Sequence, residues 1–281
     1  MRKLLTTIGA TIIASFAFTA NANAGAVFLT GHDPDFHAQP GAGVGDDLLA
    51  TALSYVTGGT YNLGASTKFL WVEATPGDLG GIPAGHLYGV NGLADLGLVL
   101  GTNFDTVNGA GFLTANLSNY TAIAVASTFG GLLTSAELTA LTGRSADIAT
   151  FVNGGGGLFA SAECYPCGAN LAGSAANLFG FVPVTVTSIG ASAPFTVTAF
   201  GASLGLTNAD VNDPTHNSFG LVGGLNVVDT DSADNATTLA GNVRIGGGGF
   251  IPVGVPEPGT LLLLGAGLLG FGGIRRRKAK A

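Results

Sequence analysis

The period of the apolar residues changes along the chain and divides it into two parts. Residues 120–128, YTAIAVAST, form a short apolar run typical of a buried strand. Residues 46–56, DDLLATALSYV, instead place apolar side chains at helical spacing behind two acids, where the helix dipole favours negative charge. Such runs alternate through residues 25–181. The alternation predicts an α/β fold with an open, mostly parallel sheet and helices on both faces.

The remaining predicted elements follow the same order and then change at residue 182. Strands are predicted at 26–30, 68–74 and 157–163, and helices at 92–100, 133–157 and 169–181. In the helix over 133–157, Thr134 or Ser135 with Glu137 resembles a capping box. From Val182 the pattern alternates with period two in VPVTVTS and FTVTAF. We therefore predict an α/β domain over 25–181 and a β-rich extension of it over 182–254.

The first 24 residues have the order of a secretory signal peptide. Arg2 and Lys3 precede an apolar stretch, and Ala22 and Ala24 supply small residues at the −3 and −1 positions. Cleavage is expected before Gly25. The predicted partners of this segment are the Sec translocon and signal peptidase.

The last residues, 255–281, combine two prolines, an apolar run and a basic tail. The apolar part, 259–274, is expected to be a short transmembrane helix, and the cluster that starts at Arg275 fits the positive-inside rule. With Pro256, Glu257 and Pro258 in front of it, this segment resembles the PEP-CTERM sorting signal. The resemblance implies a Gram-negative envelope, cleavage near these three residues by an exosortase, and an association with exopolysaccharide.

Charge is distributed unevenly between the ends and the body. The body, 25–254, holds only Lys68, Arg144 and Arg244 as bases against sixteen acids, a net charge near −13. Nucleic acid is excluded as an expected partner because no basic patch could neutralise phosphates. The apolar content, 47% of the chain, is sufficient for a packed core.

One cluster of metal-binding residue types follows the first predicted strand. His32, Asp33, Asp35 and His37 lie just past its carboxyl end, the edge where open α/β sheets bind ligands. Two imidazoles and two carboxylates could ligate zinc or a similar divalent ion. The cluster also resembles the loop of zinc-dependent sugar deacetylases. The alternative is a turn, because Asp-Pro favours one and Asp33 could bond its own backbone.

Cys164 and Cys167 are separated by two residues between a predicted strand and a predicted helix. In an oxidising compartment they are expected to form a local disulfide. A redox or metal role, or a catalytic Cys164 paired with His216, is the alternative.

A third polar stretch, 208–220, contains Asp210, Asp213 and His216. It could complete a site with the His32 loop, bind calcium, or be a solvated loop. The acidic stretch 229–235 has the same ambiguity. His86 stands alone and is assigned no role.

The segments 120–128, 133–141 and 147–163 together resemble the class I glutamine amidotransferase-like fold. That family places its nucleophile in a Gly-x-Cys-x-Gly elbow, whereas Cys164 lies between Ala162 and Pro166. The resemblance therefore implies the fold and not the amidotransferase reaction.

Two hypotheses for the body follow. It is a non-catalytic binding or structural module of an exported envelope or matrix protein, or it is a metal-dependent hydrolase, such as a deacetylase, of envelope carbohydrate. The expected location is an inner-membrane-anchored precursor that reaches the periplasm, the outer surface or the extracellular matrix.

Overall fold

A computed structural model describes most of the body of the chain. The described residues are 24–37, 46–62, 64–74, 89–128, 132–161, 178–191, 193–212, 217–220 and 223–253. Helices in these ranges are α1 (Pro34–His37), α2 (Asp46–Val56), α3 (Gly89–Asp95), α4 (Gly109–Thr114), α5 (Ser135–Gly143), α6 (Ser145–Asn153) and α7 (Ala199–Ser203), with a 3₁₀ turn at Leu117–Asn119. Strands are β1 (Gly25–Thr30), β2 (Phe69–Val72), β3 (Phe104–Val107), β4 (Ala122–Val125), β5 (Gly157–Ala160), β6 (Val186–Ile189), β7 (Thr196–Val197), β8 (Asn217–Phe219), β9 (Asn226–Thr230), β10 (Ala236–Gly246) and β11 (Gly249–Pro252).

All eleven of these strands belong to one sheet, and the sheet is mixed. Its parallel part has the order β3-β2-β4-β5-β1. Beyond β1, the long strand β10 pairs antiparallel with β1, and β6, β7, β8, β9 and β11 also pair antiparallel. The predicted mostly parallel sheet is therefore wrong.

Short connections explain two of the antiparallel pairs, β9 with β10 and β10 with β11. Residues 231–235 join β9 to β10, and Asp231 Oδ1 holds this turn by accepting hydrogen bonds from two backbone amides. Gly247 and Gly248 join β10 to β11 with φ of +61° and +78°, as a two-residue hairpin turn requires. Connections this short can only join antiparallel strands, since a parallel pair needs a crossover.

Each face of the sheet has its own apolar core. On one face Phe28, Trp71 and Phe159 pack with α2 and α3. On the other face Leu29 and Ile123 pack with α5 and α6. Side chains of a strand alternate between faces, so these continuous apolar runs supply both cores, as expected for a sheet covered by helices on both sides.

The predicted helix over 133–157 is two helices that meet at Arg144. The first begins with a capping box in which Thr134 is the N-cap and Glu137 bonds back to the Thr134 amide at 3.0 Å. The other Glu137 oxygen accepts from the amide of Gly109, at the start of α4, at 3.0 Å. Arg144 Nη1 donates to the carbonyl oxygen of Ala115 at 2.9 Å, so this break in the helix is tied to the end of α4.

The described part of the chain contains no helix of the length and apolarity needed to cross a membrane. The membrane span predicted at 259–274 lies outside the described residues, as do residues 1–23 of the signal peptide predicted at 1–24.

Candidate functional site

The candidate residues of the first loop lie at the carboxyl edge of the parallel strands. The chain leaves β1 through Gly31 and His32. Glu73 and Ser161 directly follow the parallel strands β2 and β5, and Ser127 lies two residues past the end of β4. All of these side chains that carry polar atoms are buried. Open α/β sheets bind their ligands at this edge, so catalytic or ligand-binding side chains are expected here.

His32 is fixed by a carboxylate that is distant in sequence. Its Nε2 donates to Asp229 Oδ2 at 2.8 Å, and both side chains are fully buried. The same Asp229 oxygen accepts the hydroxyl of Thr237. The imidazole also packs edge-on against the ring of Phe195, with centroids 5.1 Å apart. Strands β9 and β10 therefore set the orientation of this ring.

A close backbone approach brings β8 to the same loop. A Cβ on Gly31 would lie 2.1 Å from the carbonyl oxygen of Asn217, so a larger residue would collide with backbone. The Gly31 amide donates to the carbonyl oxygen of Thr237 at 2.8 Å. Glycine at this position lets the loop pass between the parallel strands and the antiparallel extension.

Asp33 and Asp35 flank Pro34, the first residue of α1. Pro34 begins this helix, where a missing amide hydrogen costs nothing. Asp35 Oδ2 accepts from the amide of Ser127, at the end of β4, at 2.9 Å. The segment is thus a short helix held against β4 and not an open loop, and both aspartates are fully buried.

Some of the site residues predicted from the sequence are among the residues that the structure describes, and others are not. His32, Asp33 and Asp35 are at this edge; His37 has its backbone in α1, but its side chain is outside the described part. Asp210 accepts from the amide of Thr207 at 2.6 Å and closes a local turn. The residues outside the description are His86, Cys164, Cys167, Asp213 and His216, with the motif Pro256, Glu257 and Pro258.

Within the described ranges, no group of three or more His, Cys, Asp or Glu residues is arranged to hold a metal ion. The metal site at His32, Asp33, Asp35 and His37 stays a prediction, as do the Cys164–Cys167 disulfide and a role for Cys164 with His216.

Four polar residues at this edge were not singled out from the sequence. Asp229 belongs to the acidic stretch 229–235, for which the sequence predicts no definite role. It follows two valines, and a carboxylate is unusual at the end of such a run. Glu73 follows a buried strand and accepts from Trp71 Nε1 at 3.0 Å. Ser127 and Thr128 follow β4. Among the described atoms, Ser127 Oγ, Thr128 Oγ1 and Asp229 Oδ1 are buried and have no hydrogen-bond partner.

The edge is also electronegative. The three bases of the body lie elsewhere: Lys68 binds Asp105 at 2.8 Å before β2, and Arg144 binds Asp147 at 2.8 Å. Arg244 is exposed on β10 next to Val243, which pairs with the first residue of β1 and so marks the opposite end of the sheet. Buried carboxylates without a lysine or arginine nearby disfavour an anionic ligand.

Comparison with protein families matches residues 254–278 to the PEP-CTERM protein-sorting motif. The chain carries an exosortase sorting signal. It is therefore an exported, envelope-associated protein with an exosortase as its processing partner. No curated protein and no solved structure matches the chain. The resemblance of the body to amidotransferase-like proteins is accordingly unconfirmed.

Proposed function

We propose that the body of this exosortase-sorted protein is a non-catalytic binding or structural module of the cell envelope or extracellular matrix. The observation that supports this is the use of the polar groups in the first loop. His32 Nε2 is bonded to Asp229, Asp35 Oδ2 is bonded to the Ser127 amide, and both side chains are fully buried. A general acid, base or metal ligand must reach its substrate or ion, whereas these groups join the loop to β9 and β4.

Metal content and matrix association test the proposal together. The protein is purified from exporting cells without chelators, and its metals are quantified by mass spectrometry; intact cells and matrix are fractionated in parallel. We expect metal far below one ion per chain and co-sedimentation of the protein with the matrix. Absence from envelope and matrix fractions would refute the proposal.

A second candidate is a metal-dependent hydrolase of envelope carbohydrate. The three buried oxygens without partners at the carboxyl edge, Ser127 Oγ, Thr128 Oγ1 and Asp229 Oδ1, favour it, because buried polar atoms usually have a partner. Stoichiometric zinc that is lost in His37→Ala, with an unchanged circular dichroism spectrum, would establish this candidate and contradict the first. His86→Ala is the matched control, because His86 has no assigned role.

A further inference from the structure

A concave site lies at the amino end of the parallel strands, opposite the edge that holds His32. This cleft has a volume of about 660 Å³. It is lined by Ala26 of β1, the end of α2, Thr121 just before β4 and the 154–156 loop before β5. Its volume is in the range of small-molecule sites, roughly 300–1,000 Å³. It is therefore large enough for a ligand and separate from the His32 edge.

The serine and threonine hydroxyls of the cleft are oriented as acceptors. Four of them line it beside the two tyrosine hydroxyls, and each of the four already donates its hydrogen inside the protein. Thr57, Thr121 and Thr150 donate to the carbonyl oxygens of Leu53, Lys68 and Ala146, respectively. Ser118 donates to the side-chain oxygen of Asn116. A hydroxyl has one hydrogen and two lone pairs, so these oxygens offer lone pairs to a ligand. A ligand that suits them must donate hydrogen bonds.

Two tyrosine rings are held rigidly at the cleft. Tyr55 packs edge-on against Phe28, with centroids 6.0 Å apart. The Tyr120 hydroxyl donates to Asp105 Oδ2 at 3.2 Å, and Asp105 is itself held by Lys68. Burial raises the pKa of both phenols, and for Tyr120 the Asp105 charge adds to the effect, so both stay neutral. Pre-oriented rings bind with a smaller entropic cost.

Charged side chains are absent from the described part of this lining, and the amino group that cleavage before Gly25 would expose is the one cation beside Ala26. Among the described residues that form the cleft, none is Asp, Glu, Lys or Arg; Asn242 supplies an uncharged amide. A phosphate, sulfate or carboxylate would lose its hydration without gaining a lysine or arginine partner. The cleft thus combines aromatic faces with neutral acceptors.

We infer that this cleft binds a neutral glycan, whose hydroxyls donate to the acceptor oxygens and whose apolar sugar face packs on Tyr55 and Tyr120. The inference rests on the proposed binding role and names its ligand class. Sugars carry many O–H donors and an apolar ring face, which match this lining. The envelope location brings the cleft into contact with such polymers.

Binding is measured by calorimetry on the protein as exported, with cellohexaose, chitohexaose and isomaltohexaose as probes and a hexamer of guluronate as the charged comparison. We expect saturable binding of at least one neutral hexamer and none of the guluronate. Tyr55→Ala should weaken that binding by about tenfold or more. Thr150→Val, which removes one acceptor but keeps the shape, should weaken it less. Tyr61→Ala, a tyrosine outside the cleft, should leave it unchanged.

Three results would overturn the assignment: no binding of any neutral hexamer, preference for guluronate, or equal binding by wild type and Tyr55→Ala with unaltered circular dichroism. If wild type co-sediments with matrix and Tyr55→Ala does so equally, the cleft assignment fails while the proposed role stands. If wild type itself does not co-sediment, the proposed role fails, whatever the hexamers do.

Discussion

Removal of the Asp229 carboxylate is the sharpest test of a structural role for the first loop. Asp229 Oδ2 accepts from both His32 Nε2 and the Thr237 hydroxyl, and all three residues are fully buried. Asp229→Ala leaves two buried donors without that acceptor. Each such loss costs about 1–3 kcal/mol, so we expect the free energy of unfolding to fall by roughly 2–5 kcal/mol. Asp229→Asn keeps one acceptor oxygen and should lose about half of this.

The assay is urea unfolding followed by tryptophan fluorescence. Trp71 is the single tryptophan of the chain and is fully buried, so its emission reports the core directly. Asp147→Ala is the control, because this carboxylate is 58% exposed in its pair with Arg144 and should contribute at most about 1 kcal/mol. The reasoning is refuted if Asp229→Ala is as stable as wild type within about 0.5 kcal/mol, or more stable. A gain in stability would instead mark a functional site, where activity is often maintained against stability.

Two further predictions concern packing and pH. Gly157→Ala should destabilise the protein by about 1–3 kcal/mol in the same assay, since its Cβ would lie 1.9 Å from the carbonyl oxygen of Val56. Gly143→Ala, with open space around its Cβ, should instead stabilise α5 by up to about 1 kcal/mol, and the idea fails if the two variants behave alike. Burial, and then the charge and hydrogen bond of Asp210, raise the pKa of the Asp47 carboxyl above its ordinary value of 3.8. The folded state therefore holds this proton more tightly, and stability is lost as pH rises through the raised pKa. Asp47→Asn should be more stable than wild type at pH 7, and the difference should vanish near pH 3; a constant difference would contradict this.

The sequence is informative where a pattern is local. The helix predicted over 46–56 has those bounds, and the capping box before Glu137 forms as predicted, because period and capping depend on neighbours in the chain. The position of His32 at the carboxyl edge also follows from the strand before it. The strand Phe104–Val107 was missed, because its alternation is only four residues long.

Long-range pairing could not be predicted. Alternation over 182–200 indicates β structure but does not indicate which strand pairs with which. The mixed sheet depends on pairing of β1 with β10, and the bond from His32 to Asp229 spans 197 positions. The two valines before Asp229 indicate a carboxylate in a strand, but no local pattern identifies His32 as its partner.

The pairing of β1 with β10 also sets an order of events during export. The first strand of the sheet lies between β5 and β10, so Gly25–Thr30 cannot acquire its second neighbour until Ala236–Gly246 has followed it across the membrane. Closure of a loop this long is slow. The sheet therefore cannot be completed until nearly the whole body is available for folding. Completion of the fold comes shortly before the sorting motif at 254–278 follows, so one strand pair links folding of the amino end to arrival of the carboxyl end.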